Sequence, residues 1–214
     1  LTHYYDSNKV DISSITIDDR QNIIPGVNLR YSLSIPFKNR MEMEGITVTV
    51  ILMNPSEADS NISDRTVNKL IDFFYCYTHE KIQVKKLYVG NVIPIYAPNP
   101  ADISAKLKSI HGVNLLNHVQ KNNINTVSSM INDSDIVVLA WGKPNVKTVH
   151  NLYYYSQVYK IIEVISNTDK DIFVFNMRNT NTILTEHGDP RHAGRSATLI
   201  DLIKINSNEL LGLA

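Results

Sequence analysis

The chain has 214 residues, of which 43% are hydrophobic and 20% are charged. This length and composition are typical of one globular domain with its own core, and they exclude a disordered or fibrous protein. Lysine and arginine together number 21, as do aspartate and glutamate, so the chain has no net charge and a nucleic-acid partner would require a local basic patch.

The number of cysteines and the length of the apolar segments bear on disulfides, metal sites and membrane insertion. The single cysteine, Cys76, excludes an internal disulfide and a zinc site made of several cysteines. It falls among the apolar positions of a predicted helix, which favours a packing role over a reactive thiol. The first residues lack the features of a secretion signal, and no apolar run has the length of a membrane span. These features predict a cytoplasmic protein without a membrane partner.

The predicted elements begin after a polar, irregular segment, residues 1–29, which we interpret as an N-terminal arm or an added layer. Residues 30–37 alternate between polar and apolar side chains, as in a half-exposed strand beside the main sheet. In residues 46–53 the alternation becomes a continuous apolar run, which indicates a central strand buried on both faces. Ser63 or Asp64 can then cap a helix whose apolar positions have helical spacing, at Val67, Leu70, Ile71, Phe74 and Tyr75.

The remainder of the chain continues to alternate between strands and helices. Strands are predicted at residues 85–92, 135–141 and 171–175, and helices twice within 101–131, over 146–166 and over 197–205. This alternation implies right-handed crossovers and a mostly parallel sheet. The predicted fold is α/β, a three-layer sandwich with a central, mostly parallel four-stranded sheet, helices on both faces and an added N-terminal strand. Residues 30–214 would form this single domain.

A short polar motif follows each of the four central strands. The motifs are Asn54-Pro55-Ser56, Gly90-Asn91, Trp141-Gly142 and residues 176–179. In an open parallel sheet, loops that leave the carboxyl ends of neighbouring strands meet at one crevice, and ligands bind there. The four motifs therefore predict one site.

The first motif has both a functional and a purely conformational interpretation. The Asn54 amide can hold a water molecule or a base edge, and Ser56 near a helix amino terminus can bind an anion. The same residue types are also common in turns. Asp59 and Asp64 could ligate a divalent cation, although helix capping explains Asp64 better.

Two further motifs offer an aromatic ring and two glycines at strand ends. Trp141, the only tryptophan, could stack on a planar ligand, or it could close the end of the core. Gly142 and the Gly90-Asn91 pair are weak signals by themselves.

The last loop has the most reactive composition, with Asp189, Arg191 and His192 close together. Arg191 can form a forked contact with a phosphate or carboxylate, and His192 can exchange a proton near neutral pH. A zinc site is disfavoured because His187 and His192 have no third ligand at a suitable spacing. The alternative is a solvated loop.

These motifs, taken in order, resemble a known family. The matching residues are Arg30-Tyr31, residues 53–59 with Asp64-Arg65-Thr66, Gly90-Asn91, Trp141-Gly142 and Asp189-Pro190-Arg191-His192. They resemble the bacterial and phage family catalogued as domain of unknown function 1643, over residues 30 to 200 approximately. That resemblance implies no established activity.

A more distant resemblance is to the uracil-DNA glycosylase superfamily, which has a four-stranded parallel sheet. Asn54-Pro55 is similar to its first loop, and Trp141-Gly142 is similar to the Trp-Gly after its third strand. The His-Pro of its last loop is Asp189-Pro190 here, so the leaving-group histidine would be His192 or would be absent.

This resemblance implies that Asn54 positions water against the anomeric carbon, and that His192 or Arg191 stabilises the departing base. Trp141 would stack on an extruded base. Asn54 and His192 are thus the candidate catalytic residues, and the implied partner is a nucleobase, a nucleotide or DNA, with no cofactor. The candidate ligand-binding residues are Pro55, Ser56, Asp59, Asp64, Arg65, Asn91, Trp141, Gly142, Asp189 and Arg191.

Three functions are compatible with the sequence. The first is a glycosylase-like enzyme that cleaves the N-glycosidic bond of a nucleobase, nucleotide or modified DNA base. The second is a module that binds a nucleotide or phosphorylated metabolite without catalysis. The third is a metal-assisted phosphoester hydrolase, which requires Asp59, Asp64 and Asp189 to meet around a cation.

Overall fold

The four apolar runs of the sequence form adjacent strands at the centre of one sheet. The computed structural model describes residues 2–144, 149–194, 197–206 and 209–210. The strands are β1 (Thr16–Ile24), β2 (Val27–Pro36), β3 (Ile46–Leu52), β4 (Thr78–His79), β5 (Ile82–Asn91), β6 (Ile136–Leu139), β7 (Asp171–Met177) and β8 (Leu199–Ile205). The α-helices are α1 (Arg65–Cys76), α2 (Ile103–Gly112), α3 (Leu116–Asn132) and α4 (Asn151–Ser166).

The predicted parallel sheet is only the middle of a larger one. The order is β1-β2-β5-β3-β6-β7-β8, with β4 paired to β5. The neighbours β5, β3, β6 and β7 are parallel, as predicted. The pairings of β1 with β2, β2 with β5, β4 with β5 and β7 with β8 are antiparallel. The prediction of a four-stranded, mostly parallel sheet is therefore wrong, because antiparallel strands extend both edges.

Two apolar cores lie on opposite faces of the sheet, which confirms the three layers. Helices α2, α3 and α4 pack on one face, and α1 with the N-terminal segment packs on the other. All seven residues of β3 are buried, as expected for a strand covered on both sides. Helix α1 begins where the Asp64 carboxylate accepts the Val67 N–H, and it buries Val67, Leu70, Ile71 and Phe74.

The segment that precedes residue 30 was expected to be irregular, but it contains strand β1. Strand β1 pairs with β2 over most of its length, and Tyr5, Val10 and Ile15 are buried in the core on the α1 face. Its sequence is rich in Asp and Asn, which are rare in strands, so only the pairing with β2 explains its conformation.

The helix predicted over residues 197–205 is also wrong, since Leu199–Ile205 form strand β8. Leu199, Leu202 and Ile205 have the spacing of a helix face. In the structure a bulge at Ile200 separates Leu199 from the rest of the strand. Leu202 then packs in the core on the α1 face, whereas Ile205 packs in the opposite core. Burial on both faces plus one bulge therefore imitates a helical pattern.

Three further predictions concern helices and Cys76. The two helices expected within residues 101–131 are α2 and α3, and α4 covers most of the helix expected over 146–166, of which residues 146–148 lie outside the described part. Cys76 is exposed, because it ends α1 away from the stripe that Ile71 and Phe74 bury. Its predicted packing role is therefore wrong.

The connections create a crevice beside β3. The chain leaves β3 through α1 on one face and leaves β6 through α4 on the other, although β3 and β6 are neighbours. Such a point, where the winding of the sheet reverses, opens a crevice outside the carboxyl ends of the strands. No helix in the described ranges is long and apolar enough to cross a membrane.

Candidate functional site

The loop after β3 is joined to the loop after β5 by the side chain of Asn54. Its Nδ2 donates hydrogen bonds to the carbonyls of Pro55, at 2.8 Å, and Ala97, at 3.1 Å. The Ala97 N–H donates in return to the Pro55 carbonyl at 3.0 Å. Because carbonyl oxygens accept and never donate, these two bonds fix which end of the amide is nitrogen. Oδ1 of Asn54 therefore remains as an acceptor, on a residue that is only half-buried.

Three donors hold the next turn of the same loop. Arg30 Nη1 donates to the Ala58 carbonyl at 2.6 Å, and Tyr96 Oη donates to that oxygen at 3.2 Å. Tyr5 Oη donates to the Asp59 carbonyl at 2.5 Å. The Arg30 guanidinium is 1% exposed and lies over the Tyr96 ring, 5.7 Å from its centroid. Burial lowers the pKa of Arg30, and electrostatic interactions with Tyr96 and then with Asp64 oppose that shift.

The two carboxylates of this loop that were candidates for ligand binding accept hydrogen bonds from backbone N–H groups. Asp64 Oδ1 accepts the Val67 N–H at 2.8 Å and Oδ2 accepts the Ala58 N–H at 3.4 Å. Asp59 Oδ1 accepts the N–H groups of Asn61 and Ile62. Asp64 is thus the helix cap that its position predicted.

The remaining predicted residues of this loop differ in exposure. Pro55 is buried and Ser56 is half-buried, whereas Arg65 is exposed in the first turn of α1. Ser56 and Asp59 line a polar groove of about 760 Å³ together with Tyr96 and residues of β1.

The loop after β6 meets the last loop at Gly142. The Gly142 N–H donates to the Pro190 carbonyl at 2.9 Å, and Tyr154 Oη donates to the Gly142 carbonyl at 3.1 Å. Gly142 has φ +71°, and a β-carbon there would lie 2.8 Å from His192 Cβ. Both the positive φ and the closeness of His192 therefore require a glycine at position 142.

Strand register brings Asn54 to the same level as Gly142. Ile51 of β3 lies opposite Leu139 of β6. Asn54 follows Ile51 by three residues, and Gly142 follows Leu139 by three residues. Adjacent strands are about 4.8 Å apart. Asn54 and Gly142 therefore follow the carboxyl ends of neighbouring strands, and His192 lies against Gly142.

The protonation of His192 follows from a backbone contact. The Gly194 N–H donates to His192 Nδ1 at 3.0 Å. Since a backbone N–H cannot accept, Nδ1 carries no proton, and Nε2 is the protonated nitrogen of the neutral ring. His192 is a hydrogen-bond donor through Nε2 in this state.

The start of α1 holds the segment around His192. Lys69 Nζ donates to the carbonyls of Ala193, at 2.8 Å, and Ala197. A β-carbon at Gly194 would collide with Oγ1 of Thr66. The helix that follows the Asn54 loop thus fixes the loop that carries His192.

Asp189 and Arg191 are engaged within the last loop. The buried Asp189 carboxylate accepts Tyr155 Oη at 3.0 Å through Oδ2. Burial raises the pKa of Asp189, while the Tyr155 hydrogen bond and the charges of His187 and Lys143 oppose that shift. Arg191 donates from Nε to the Thr182 carbonyl and from Nη2 to Thr182 Oγ1 and the Leu184 carbonyl. Arg191 therefore stabilises the loop with the donors that were expected to bind a ligand.

Two predicted ligand contacts are buried. Trp141 is 0% exposed and belongs to the core on the α4 face, so it closes the core and presents no open ring face. Asn91 is also 0% exposed, and neither of its side-chain polar atoms has a hydrogen-bond partner among the described residues. The carbonyl of Asn91 accepts Nδ2 of Asn123 from α3.

The carboxylates that a metal-assisted hydrolase would need are not brought together. Within residues 2–144, 149–194, 197–206 and 209–210, no group of three His, Cys, Asp or Glu side chains could hold a metal ion. Asp64 caps α1 and Asp189 pairs with Tyr155, on different loops.

Two tyrosines that build the site have no recognisable signal in the sequence. Tyr96 and Tyr155 act through contacts with distant segments, and no local pattern distinguishes them from packing residues. Arg30 and Thr66 are predicted only as parts of family motifs. An arginine inside an alternating strand pattern was an available signal, because a buried arginine needs dedicated acceptors.

Comparison with known proteins identifies a family without assigning an activity. No curated protein and no solved structure matches the chain significantly. One family model, described as "Protein of unknown function (DUF1643)", matches residues 30–193, from β2 through the segment that contains His192. Because this match covers more than half of the chain, the protein belongs to the DUF1643 family.

Proposed function

We propose that the protein hydrolyses the N-glycosidic bond between a nucleobase and its sugar, in DNA or in a nucleotide. The reaction would take place in the crevice between β3 and β6. What supports the proposal is the geometry of two neighbouring loops: Nδ2 of Asn54 is held so that Oδ1 can accept, and Nδ1 of His192 accepts the Gly194 N–H so that Nε2 can donate. The first group can orient a nucleophile, and the second can stabilise a leaving group. An N-glycosidase needs both functions.

Asn54 would orient the attacking water. Its Nδ2 is held by the Pro55 and Ala97 carbonyls, so Oδ1 can accept one O–H of a water molecule without turning. A water held in this way directs an oxygen lone pair at the anomeric carbon. The buried Arg30 would preserve that geometry, because it fixes the Ala58 carbonyl on the same loop.

His192 would stabilise the departing base. As the new bond from water oxygen to the anomeric carbon forms, the bond from that carbon to the base nitrogen breaks, and the base keeps the electron pair. A hydrogen bond from His192 Nε2–H stabilises the negative charge that develops on the base. The proton lost by water is matched by the proton that the base takes up from solvent.

A second candidate function is nucleotide binding without bond cleavage. The burial of Trp141 favours it, because the site then lacks the aromatic face on which an extruded base would stack. The hydrogen bonds of Arg191 to Thr182 count against this second function, because the donors that they occupy are not available to a phosphate.

The test is release of free base, detected by mass spectrometry. The substrates are uracil-containing and hypermodified DNA, each as duplex and as single strand, and the corresponding nucleotides. The variants are Asn54→Ala and His192→Ala. The matched controls are Asn125→Ala and His111→Ala, which change exposed residues on α3 and α2.

We expect base release that falls at least about a hundredfold in both site variants and is unchanged in both controls. Absence of release from every substrate, with thermal stabilisation by a nucleotide that Asn54→Ala abolishes, would replace the first function by the second. Release that persists in His192→Ala would remove His192 from the mechanism.

A further inference from the structure

A second cavity lies beside the crevice, on the α4 side of the contact between Gly142 and Pro190. Its volume is about 390 Å³, and it is lined by Lys143, Asn151, Tyr155, Tyr159 and His187. Lys143 directly follows Gly142, and His187 precedes Asp189 by two residues. The cavity is therefore built from the same two loops that position His192.

The cavity combines positive charge with aromatic rings. Lys143 and His187 are 41% and 49% exposed, so both can reach a ligand. Tyr159 is 48% exposed on α4, and Tyr155 one turn earlier is half-buried. An ammonium group and an imidazole suit a phosphate, and tyrosine rings suit the flat and apolar parts of a nucleotide.

The carboxylates near this cavity oppose an anion only weakly. Glu186 contacts His187 at 3.1 Å and Lys143 at 3.8 Å, but its side chain is 80% exposed. Ion pairs between groups as exposed as these are weak and are readily exchanged for another anion. Asp189 is buried, and its carboxylate accepts a hydrogen bond from the Tyr155 hydroxyl. Burial raises the pKa of Asp189 and thus disfavours its charged form.

We propose that Lys143 and His187 bind the phosphate of a nucleotide, with Tyr155 and Tyr159 against its sugar or a neighbouring base. This inference rests on the proposed function for the position of the base in the crevice. It names a nucleotide, free or within a strand, as the substrate class and excludes a free nucleoside. The volume of the cavity is sufficient for one nucleotide unit.

Calorimetric titration with matched ligands tests the proposal. The probes are a nucleoside, its 5′-monophosphate, a trinucleotide with the same central base, and inorganic phosphate, all at low salt. The variants are Lys143→Ala and His187→Gln. Lys108→Ala on α2 is the control, because Lys108 is exposed and far along the chain from both loops.

We expect the monophosphate to bind at least about tenfold more tightly than the nucleoside, and this ratio to fall below about threefold in Lys143→Ala but not in Lys108→Ala. A trinucleotide that binds more tightly than the monophosphate would identify a strand as the source of the phosphate. Equal affinities for nucleoside and monophosphate, a ratio that Lys143→Ala leaves unchanged, or no binding of any probe would overturn the proposal.

The result separates this inference from the proposed reaction. Binding of monophosphate or inorganic phosphate that depends on Lys143, together with no base release, would refute catalysis and retain the phosphate subsite. Base release that is equally fast from nucleoside and nucleotide, and insensitive to Lys143→Ala, would retain catalysis and refute the subsite.

Discussion

Gly142 lies so close to His192 that no other residue fits between the loop after β6 and the last loop. Its φ is +71°, and an added β-carbon would come within 2.8 Å of His192 Cβ. The Gly142 N–H also donates to the Pro190 carbonyl, two residues before the histidine. The position of the imidazole in the crevice thus depends on a glycine at the end of a central strand.

Gly142→Ala should destabilise the protein more than the same change at a comparable glycine. Gly26 has φ +77° but no atom within 4 Å of its added β-carbon, so Gly26→Ala carries the conformational strain alone. We expect Gly142→Ala to lower the free energy of unfolding by about 1–3 kcal/mol more than Gly26→Ala does. Urea denaturation of both variants measures the difference. Equal losses would show that His192 moves aside without cost.

Replacement of Arg30 by Met should be among the most damaging changes to the fold of the first loop. It removes the buried donor to the Ala58 carbonyl and the stack on Tyr96. We expect a loss of about 2–4 kcal/mol in the free energy of unfolding. Arg20→Met is the matched control, since Arg20 is 58% exposed in its ion pair with Asp18, and it should cost less than about 1 kcal/mol. Similar midpoints of urea denaturation for the two variants would contradict the structural role of Arg30.

Asn54→Asp should destabilise the crevice although it is nearly isosteric. The change places a carboxylate oxygen where Nδ2 now donates to the carbonyls of Pro55 and Ala97. We expect a loss of about 1–3 kcal/mol, larger than that of Asn54→Ala, because Ala removes the donor without adding repulsion. Thermal and urea unfolding of both variants test this order. A more stable Asp variant would mean that the amide has the opposite orientation.

Asp189 should make stability depend on pH in a defined direction. Burial raises the pKa of the Asp189 carboxyl in the folded state above its ordinary value. The folded protein therefore binds this proton more tightly than the unfolded chain does, and the stabilisation is present below the unfolded pKa and lost as pH rises through the folded pKa. Asp189→Asn keeps an acceptor for Tyr155 and has no such titration.

The measurement for Asp189 is the free energy of unfolding at intervals from about pH 4 to about pH 8. We expect the wild type to lose stability relative to Asp189→Asn as pH rises across the lower part of this range. The control is Asp133→Asn, which removes one exposed carboxylate away from the last loop. A constant difference between wild type and Asp189→Asn would show that the folded and unfolded pKa values of Asp189 coincide.

The central strands and the convergence of their loops could be predicted from the sequence because buried strands have strong local signals. β3 ends in a continuous apolar run, and Asp64 precedes an amphipathic helix. The edges of the sheet could not be predicted in this way. β1 is an exposed strand that depends on its pairing with β2, and the bulge at Ile200 gives β8 a helical spacing.

Within the candidate site, residue types were easier to predict than residue roles. Asn54 and Gly142 follow neighbouring central strands, and His192 lies against Gly142, so the roles of Asn54 and His192 stay predictions. Arg191, Trp141 and Asn91 have chemistry that suits a ligand, but the structure uses the first for loop hydrogen bonds and buries the other two. Burial and hydrogen-bond partners arise from segments far apart in the chain, so a motif contains no information about them.

The protonation of the His192 ring is the property on which the proposed reaction most directly depends. Long-range proton–nitrogen NMR of the ring nitrogens, with His192→Ala to assign the signals, distinguishes Nδ1–H from Nε2–H. We predict a neutral ring that carries its proton on Nε2, with Nδ1 shifted by the hydrogen bond from the Gly194 N–H. A ring that carries its proton on Nδ1 would contradict the contact with Gly194 and remove the donor that the departing base requires.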